Sequence, residues 1–162
     1  MSLTTNDIGL EGLDALAGVD ALCLFVAEDD RPLPGTAGFV DWRLSGALSR
    51  VLKQKFFTGT RRDWLLLPSD GRLPITRIFV VGLGVRKALD PDALGQALAN
   101  AAQVLGKAQV ESVALEIPGG GRLDEAAQAQ AFQQHFLSAF KNKRVTVLAE
   151  KGLAKLLPVR KS

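Results

Sequence analysis

The chain has 162 residues, 47% hydrophobic and 23% charged, which suits one globular domain with a sizeable core. No apolar run approaches the roughly 20 residues of a membrane span, the acidic start MSLTTNDIGLEGLDAL is unlike a secretion signal, and the lone Cys23 excludes an internal disulfide. The net charge of +3 hides an asymmetry: residues 141–162 carry seven bases against one acid, whereas residues 1–140 carry 13 bases against 16 acids.

Residues 20–27, DALCLFVA, read as a buried strand holding Cys23 as a core residue. EDDRPLPGTAG, 28–38, reads as a loop whose adjacent acids Glu28, Asp29 and Asp30 are solvated. Residues 39–55 read as one helix, with Leu44, Leu48, Val51 and Leu52 as its apolar stripe and Gly46 placed for close backbone approach. DWLLLP and RIFVVG then read as two strands around a Ser-Asp-Gly turn. Asp90 is an N-cap with Pro91 at the first helical position, and Leu94, Leu98, Ala101 and Leu105 form the buried face before a stop at Gly106. ESVALEIP is a further strand, and Gly119-Gly120-Gly121 follows it. A helix opens at Asp124 and Glu125 and carries Ala129, Phe132, Phe136 and Phe140 on one face. RVTVLA is the last strand and GLAKLLP a short amphipathic close. This alternation predicts an α/β domain with a mostly parallel sheet and helices on both faces. We expect one domain over 1–162, with its core at about 7–150 and a basic end at 141–162.

Little in the chain suggests catalysis. His135 is the single histidine, beside an aromatic face, and no serine elbow accompanies it, so a Ser-His-Asp set is not available. The carboxylates are scattered rather than spaced as metal ligands, and tyrosine is absent. We therefore expect no metal and no cofactor.

Two glycine loops lie where α/β folds bind ligands, after strand ends. Gly82-Leu83-Gly84 fails the dinucleotide pattern: Lys87 stands where the third glycine belongs, and the helix cap is late, at Asp90. It reads either as a phosphate loop or as a strand exit with special backbone angles. Gly119-Gly120-Gly121 is followed by Asp124 and Glu125, which oppose a phosphate. The candidate ligand-binding positions are Gly82, Gly84, Gly119, Gly120 and Gly121.

Taken in order, GVDALCLFV, GFVDWRLSGALSRVLKQKFFTGTRRDWLLLP, RIFVVGLGVRKALDPDALGQALANAAQVL and VESVALEIP resemble the N-terminal domain of the leucyl, or cytosol, aminopeptidase family. Gly46-Ala47-Leu48-Ser49, Phe57-Thr58-Gly59 and Gly82-Leu83-Gly84 carry the likeness, which covers roughly residues 7–150. The resemblance implies a macro-domain-like α/β/α fold. It also implies that the family's metallopeptidase chemistry belongs to a separate C-terminal domain, whose Asn-Thr-Asp-Ala-Glu-Gly-Arg segment does not occur in these residues. Macro domains bind ADP-ribose. EIPGGGRLDEA is similar to their second phosphate loop, and Asp7-Ile8 resembles the Asp-Ile that reads adenine. LFVAEDDRPLPGTAGFVD lacks the asparagines of the first loop and is acidic.

The expected function is a stand-alone, non-catalytic cytoplasmic domain for protein interaction or regulation. Its partner would be a second copy or an aminopeptidase-like protein. The alternative is a binder of a nucleotide or ADP-ribose-like molecule through the glycine loops. A further alternative is nucleic-acid binding through the basic end, although no aromatics interleave with its bases. A membrane is not an expected partner.

Overall fold

Short apolar strands and amphipathic helices assemble into three layers. The computed structural model describes residues 2–160. Six strands form one sheet: β1 (Ser2–Asn6), β2 (Ala21–Val26), β3 (Trp64–Pro68), β4 (Arg77–Gly82), β5 (Ser112–Leu115) and β6 (Arg144–Leu148). Their order is β1-β6-β5-β2-β4-β3, and every pairing is parallel except β3 with β4. All six residues of β2 are buried, as expected for a central strand covered on both faces.

The two faces divide the core by the strand period of two. Cys23, Phe25, Phe79 and Val81 point toward α4 (Pro91–Lys107), α5 (Glu125–His135) and α6 (Lys151–Ala154). Leu22, Leu24, Ile78 and Val80 point toward α1 (Leu10–Asp14), α2 (Gly35–Arg43) and α3 (Ala47–Lys53). The Asp90 carboxylate accepts the Ala93 N–H at 2.8 Å, and Asp124 accepts that of Ala127 at 2.7 Å. Each such cap stabilises its helix by about 1 kcal/mol. Phe132, Phe136 and Phe140 stack in series, with ring centroids 5.4 and 4.8 Å apart, but the helix expected to carry all three ends at His135, and Phe140 lies on a short 3-10 turn over Leu137–Phe140. Each aromatic pair adds about 0.5–1.5 kcal/mol beyond the area it buries.

Three expectations are corrected. The helix expected over 39–55 is two helices, because Ser45 and Gly46 take left-handed angles (φ 55° and 83°) between them. Gly46 thus breaks the helix and precedes α3; no backbone approaches it, and its nearest neighbour is the Arg50 side chain. The stop expected at Gly106 lies beyond Lys107, where Gln109 turns the chain with φ 58°. At the N-terminus, β1 and α1 form from residues whose pattern suggested no element: Leu3 is the one fully buried side chain of β1, and parallel pairing with β6 holds it.

The basic end is part of the fold. Residues 144–148 are β6, and Lys143 donates to the Val110 carbonyl at 3.0 Å while lying over the Phe140 ring. Arg160 exchanges two backbone hydrogen bonds with Leu3, which covers the β1 edge of the sheet at that residue. Lys161 lies outside the described residues. No helix among the described residues is long and apolar enough to cross a membrane.

Candidate functional site

A cavity of about 540 Å³ opens at the carboxyl ends of β2 and β5. Its walls include Ile8, Phe25, the start of α2 at Gly35-Thr36, Arg86, Glu116, Gly119-Gly120-Gly121 and Glu150. The position follows from topology: strand exits and a helix N-terminus with free N–H groups converge there. Gln128, one turn into α5 and buried, fixes the triple-glycine loop by donating its side-chain amide to the Ile117 and Pro118 carbonyls (3.2 and 3.1 Å).

The anion-attracting end of α2 already holds an anion. One Glu116 carboxylate oxygen accepts the Thr36 N–H at 2.8 Å and the Thr36 hydroxyl at 2.7 Å. Gly35 (φ 56°) makes room for it, since a Cβ there would sit 2.7 Å from that oxygen. A carboxylate at a helix start with direct N–H contact gains from the dipole and from charge-assisted hydrogen bonds. It fills the place a phosphate would take. Glu150 adds a second acid to the wall, and Arg86 is its one cation.

Arg86 is itself engaged. The expectation of a solvated acidic loop at 28–30 holds for the exposed Glu28 and Asp29 and is corrected at Asp30, which is 4% exposed and whose two oxygens accept from the Arg86 guanidinium at 2.6 and 2.9 Å. One of them also accepts the Ala27 N–H. Asp29 accepts the Arg86 and Lys87 backbone N–H groups at 2.6 and 3.3 Å. The Arg86 N–H, foremost among its neighbours, holds the Asp29 carboxyl below the usual carboxylate range, and the Asp30 hydrogen bond raises the Arg86 pKa. The loop after β2 is thus clamped to the loop after β4.

Gly119, Gly120 and Gly121 line the cavity; Gly82 and Gly84 do not. A Cβ on Gly82 would stand 1.8 Å from the Thr60 carbonyl oxygen, so glycine is there for a backbone crossing. Gly84 (φ 79°) accepts from the Glu28 N–H and donates to the Gly59 carbonyl, both at 2.8 Å. Gly82 instead borders a separate cavity of about 490 Å³ with Arg61, Arg62 and Gln96. Neither of these two cavities joins the two glycine loops.

Sequence reasoning missed Glu116, Thr36 and Gln128. Glu116 and Thr36 lie 80 positions apart, and no local pattern announces their contact. Cys23 is 0% exposed and burial pushes its thiol pKa up, which keeps it protonated and unreactive. His135 packs against Gly95 on α4, away from the cavity. Among the described residues no group of three or more His, Cys, Asp or Glu is placed to hold a metal ion.

Comparison with known proteins agrees with this architecture. The family model for the cytosol aminopeptidase family, N-terminal domain, matches residues 22–145. A probable cytosol aminopeptidase of Geobacter sp. (strain M21) is 34% identical over 91 residues, covering 56% of this chain and 18% of that protein. The chain thus spans about a fifth of the curated relatives it matches. A tomato leucine aminopeptidase mutant superposes with a TM-score of 0.68 at 18% identity, over 97% of this chain and 34% of that one. A Trypanosoma brucei macrodomain in complex with ADP-ribose gives 0.72 at 13% identity, over 95% and 66%. The match over most of its length, on a macrodomain-like α/β sheet, places this chain in the cytosol aminopeptidase family, as a form of that family's N-terminal domain.

Proposed function

We propose that the domain acts in protein interaction or regulation, without catalysis of its own. The carrying observation is the face built by α2 and α3. Trp42 is 71% exposed there, and Phe56, just beyond α3, is 78% exposed. Aromatic side chains of this size are enriched among the residues that anchor protein interfaces. Trp42 borders an open cleft of about 1160 Å³ with Leu33 and Leu52 in its wall and Arg31, Lys53 and Arg72 around it. An apolar floor inside a cationic rim suits a protein segment bearing apolar and acidic side chains.

The partner class is a second copy of this chain or an aminopeptidase-like protein. Titration against a full-length cytosol aminopeptidase and against the domain itself tests this. Binding that weakens at least about tenfold in Trp42→Ser supports it. No binding to either up to about 1 mM ends it. Robust peptide hydrolysis by the purified chain with added zinc or manganese would overturn the non-catalytic part.

A second reading is a nucleotide or ADP-ribose-like ligand in the cavity beside Gly119–Gly121, favoured by its volume and its position at the strand ends. Glu116 and Glu150 oppose a diphosphate there. A rise in melting temperature with millimolar ADP-ribose would support this reading, and no shift would remove it.

A further inference from the structure

The sheet has two edges, and the fold treats them differently. The β1 edge is partly covered, by the Leu3–Arg160 pair. The β3 edge has no such cover. The Gly82 N–H donates to Asp63 and the Ser69 N–H to Thr76, so the odd-numbered residues from 63 to 69 turn their backbone groups toward β4. The N–H and C=O groups of Trp64 and Leu66 therefore face outward, and among the described residues they have no partner. The same two residues expose their side chains, 50% and 47%, on the side of the sheet they share with Val81 and Phe79.

We propose that β3 pairs antiparallel with β3 of a second copy, joining two six-stranded sheets into one about a two-fold axis at Leu65. The proposal rests on the interaction reading but uses a different surface from Trp42 and Phe56. The register follows from the edge itself. Pairing Trp64 with Leu66 of the second copy, and Leu66 with its Trp64, uses all four outward N–H groups and all four C=O groups. Centring on Leu66 would set Trp64 against Pro68, which has no N–H to give. Centring on Trp64 would set Leu66 against Arg62, whose φ of 72° is not extended. Pro68 and Arg62 thus bound the pairing window and leave one self-complementary register.

Side chains and charges agree with it. Each Trp64 falls beside Leu66 of the other copy on one face, a favourable cross-strand pair. The exposed Arg61 and Arg62 lie at the end where the second strand continues into exposed Asp70. The window is short, so the dimer is weak and concentration-dependent. At the β1 edges Leu3 is already paired with Arg160, so the same two-strand pairing is not repeated there and the two-fold β3 contact gives a closed pair.

Sedimentation over about 10 µM to about 1 mM tests the proposal. The expected result is a monomer–dimer equilibrium that Leu66→Lys weakens at least tenfold and Trp42→Ser leaves unchanged. Leu66 is half exposed, so Leu66→Lys retains the fold, checked by circular dichroism. Register is read by mild oxidation. Leu65→Cys falls on the two-fold axis, with Cα atoms about 4.5 Å apart, and cross-links. Leu67→Cys faces Asp63 and does not. A wild-type monomer at about 1 mM, a dimer untouched by Leu66→Lys, or equal cross-linking of both cysteine variants overturns the proposal. A dimer lost in Trp42→Ser but kept in Leu66→Lys overturns it too, while leaving the interaction reading standing. Binding of a monomeric chain to an aminopeptidase separates the two in the same way.

Discussion

Two loops of this chain are rich in glycine, and they are glycine for opposite reasons. At Gly82-Leu83-Gly84 the surroundings are crowded: the Thr60 carbonyl and the Arg61 side chain occupy the space where a Cβ would go. At Gly120 and Gly121 nothing lies within 4 Å of an added Cβ, because the loop borders a cavity. The first loop is glycine so that strands and loops can cross. The second leaves open the space a ligand would need, yet Glu116 already holds the helix N-terminus beside it. Glycine content alone does not separate a packing device from a binding loop; what stands opposite the missing Cβ does.

Substitutions sharpen this contrast. Gly82→Ala forces a methyl group onto a backbone carbonyl that cannot move without parting β4 from the 59–63 loop. We expect a loss of about 3 kcal/mol, read by urea denaturation. A change under about 0.5 kcal/mol would show that this loop is not crowded. Glu116→Gln keeps the shape at the α2 start but removes the charge, and should cost about 1 kcal/mol in the same measurement. If the variant were more stable than wild type, the carboxylate would not be serving the helix end. Gly120→Ala meets open space without a left-handed backbone and should stay within about 0.5 kcal/mol.

The smallest effect concerns the clamp between the two loops. Asp29 has a folded pKa below its ordinary value near 3.8, so its contribution is fully present above that value and is lost as pH falls through the folded one. Asp29→Asn should therefore lower the melting temperature by a constant amount above about pH 5, with the difference shrinking toward lower pH. A difference that grew on acidification would contradict the clamp.

Much of the fold was legible because its signals are local. The β2 and β4 runs and the Asp90 and Asp124 caps each announce themselves within one element, and the Phe132–Phe136–Phe140 spacing was legible although it runs past the end of α5. β1 did not, because a strand with one buried leucine among serine, threonines and asparagine becomes a strand only beside β6. The break at Ser45-Gly46 was masked by an apolar stripe that runs through it. Of the candidate site, the triple-glycine loop was legible and its electrostatics were not. Asp30 looked free in the sequence, yet it is buried and paired with Arg86, 56 positions beyond it, while Glu116 stood unremarked in a strand ending.

The sequence by itself determined the alternating α/β architecture, the buried Cys23, the capped helices and the likeness to an aminopeptidase N-terminal domain. Each rests on spacing within a single element or on the order of elements. Only the tertiary structure decided which glycines border a cavity, which carboxylate occupies the α2 start, and which sheet edge stays open. Those depend on groups that meet across the sheet, and the period of one helix or strand carries no record of its neighbour.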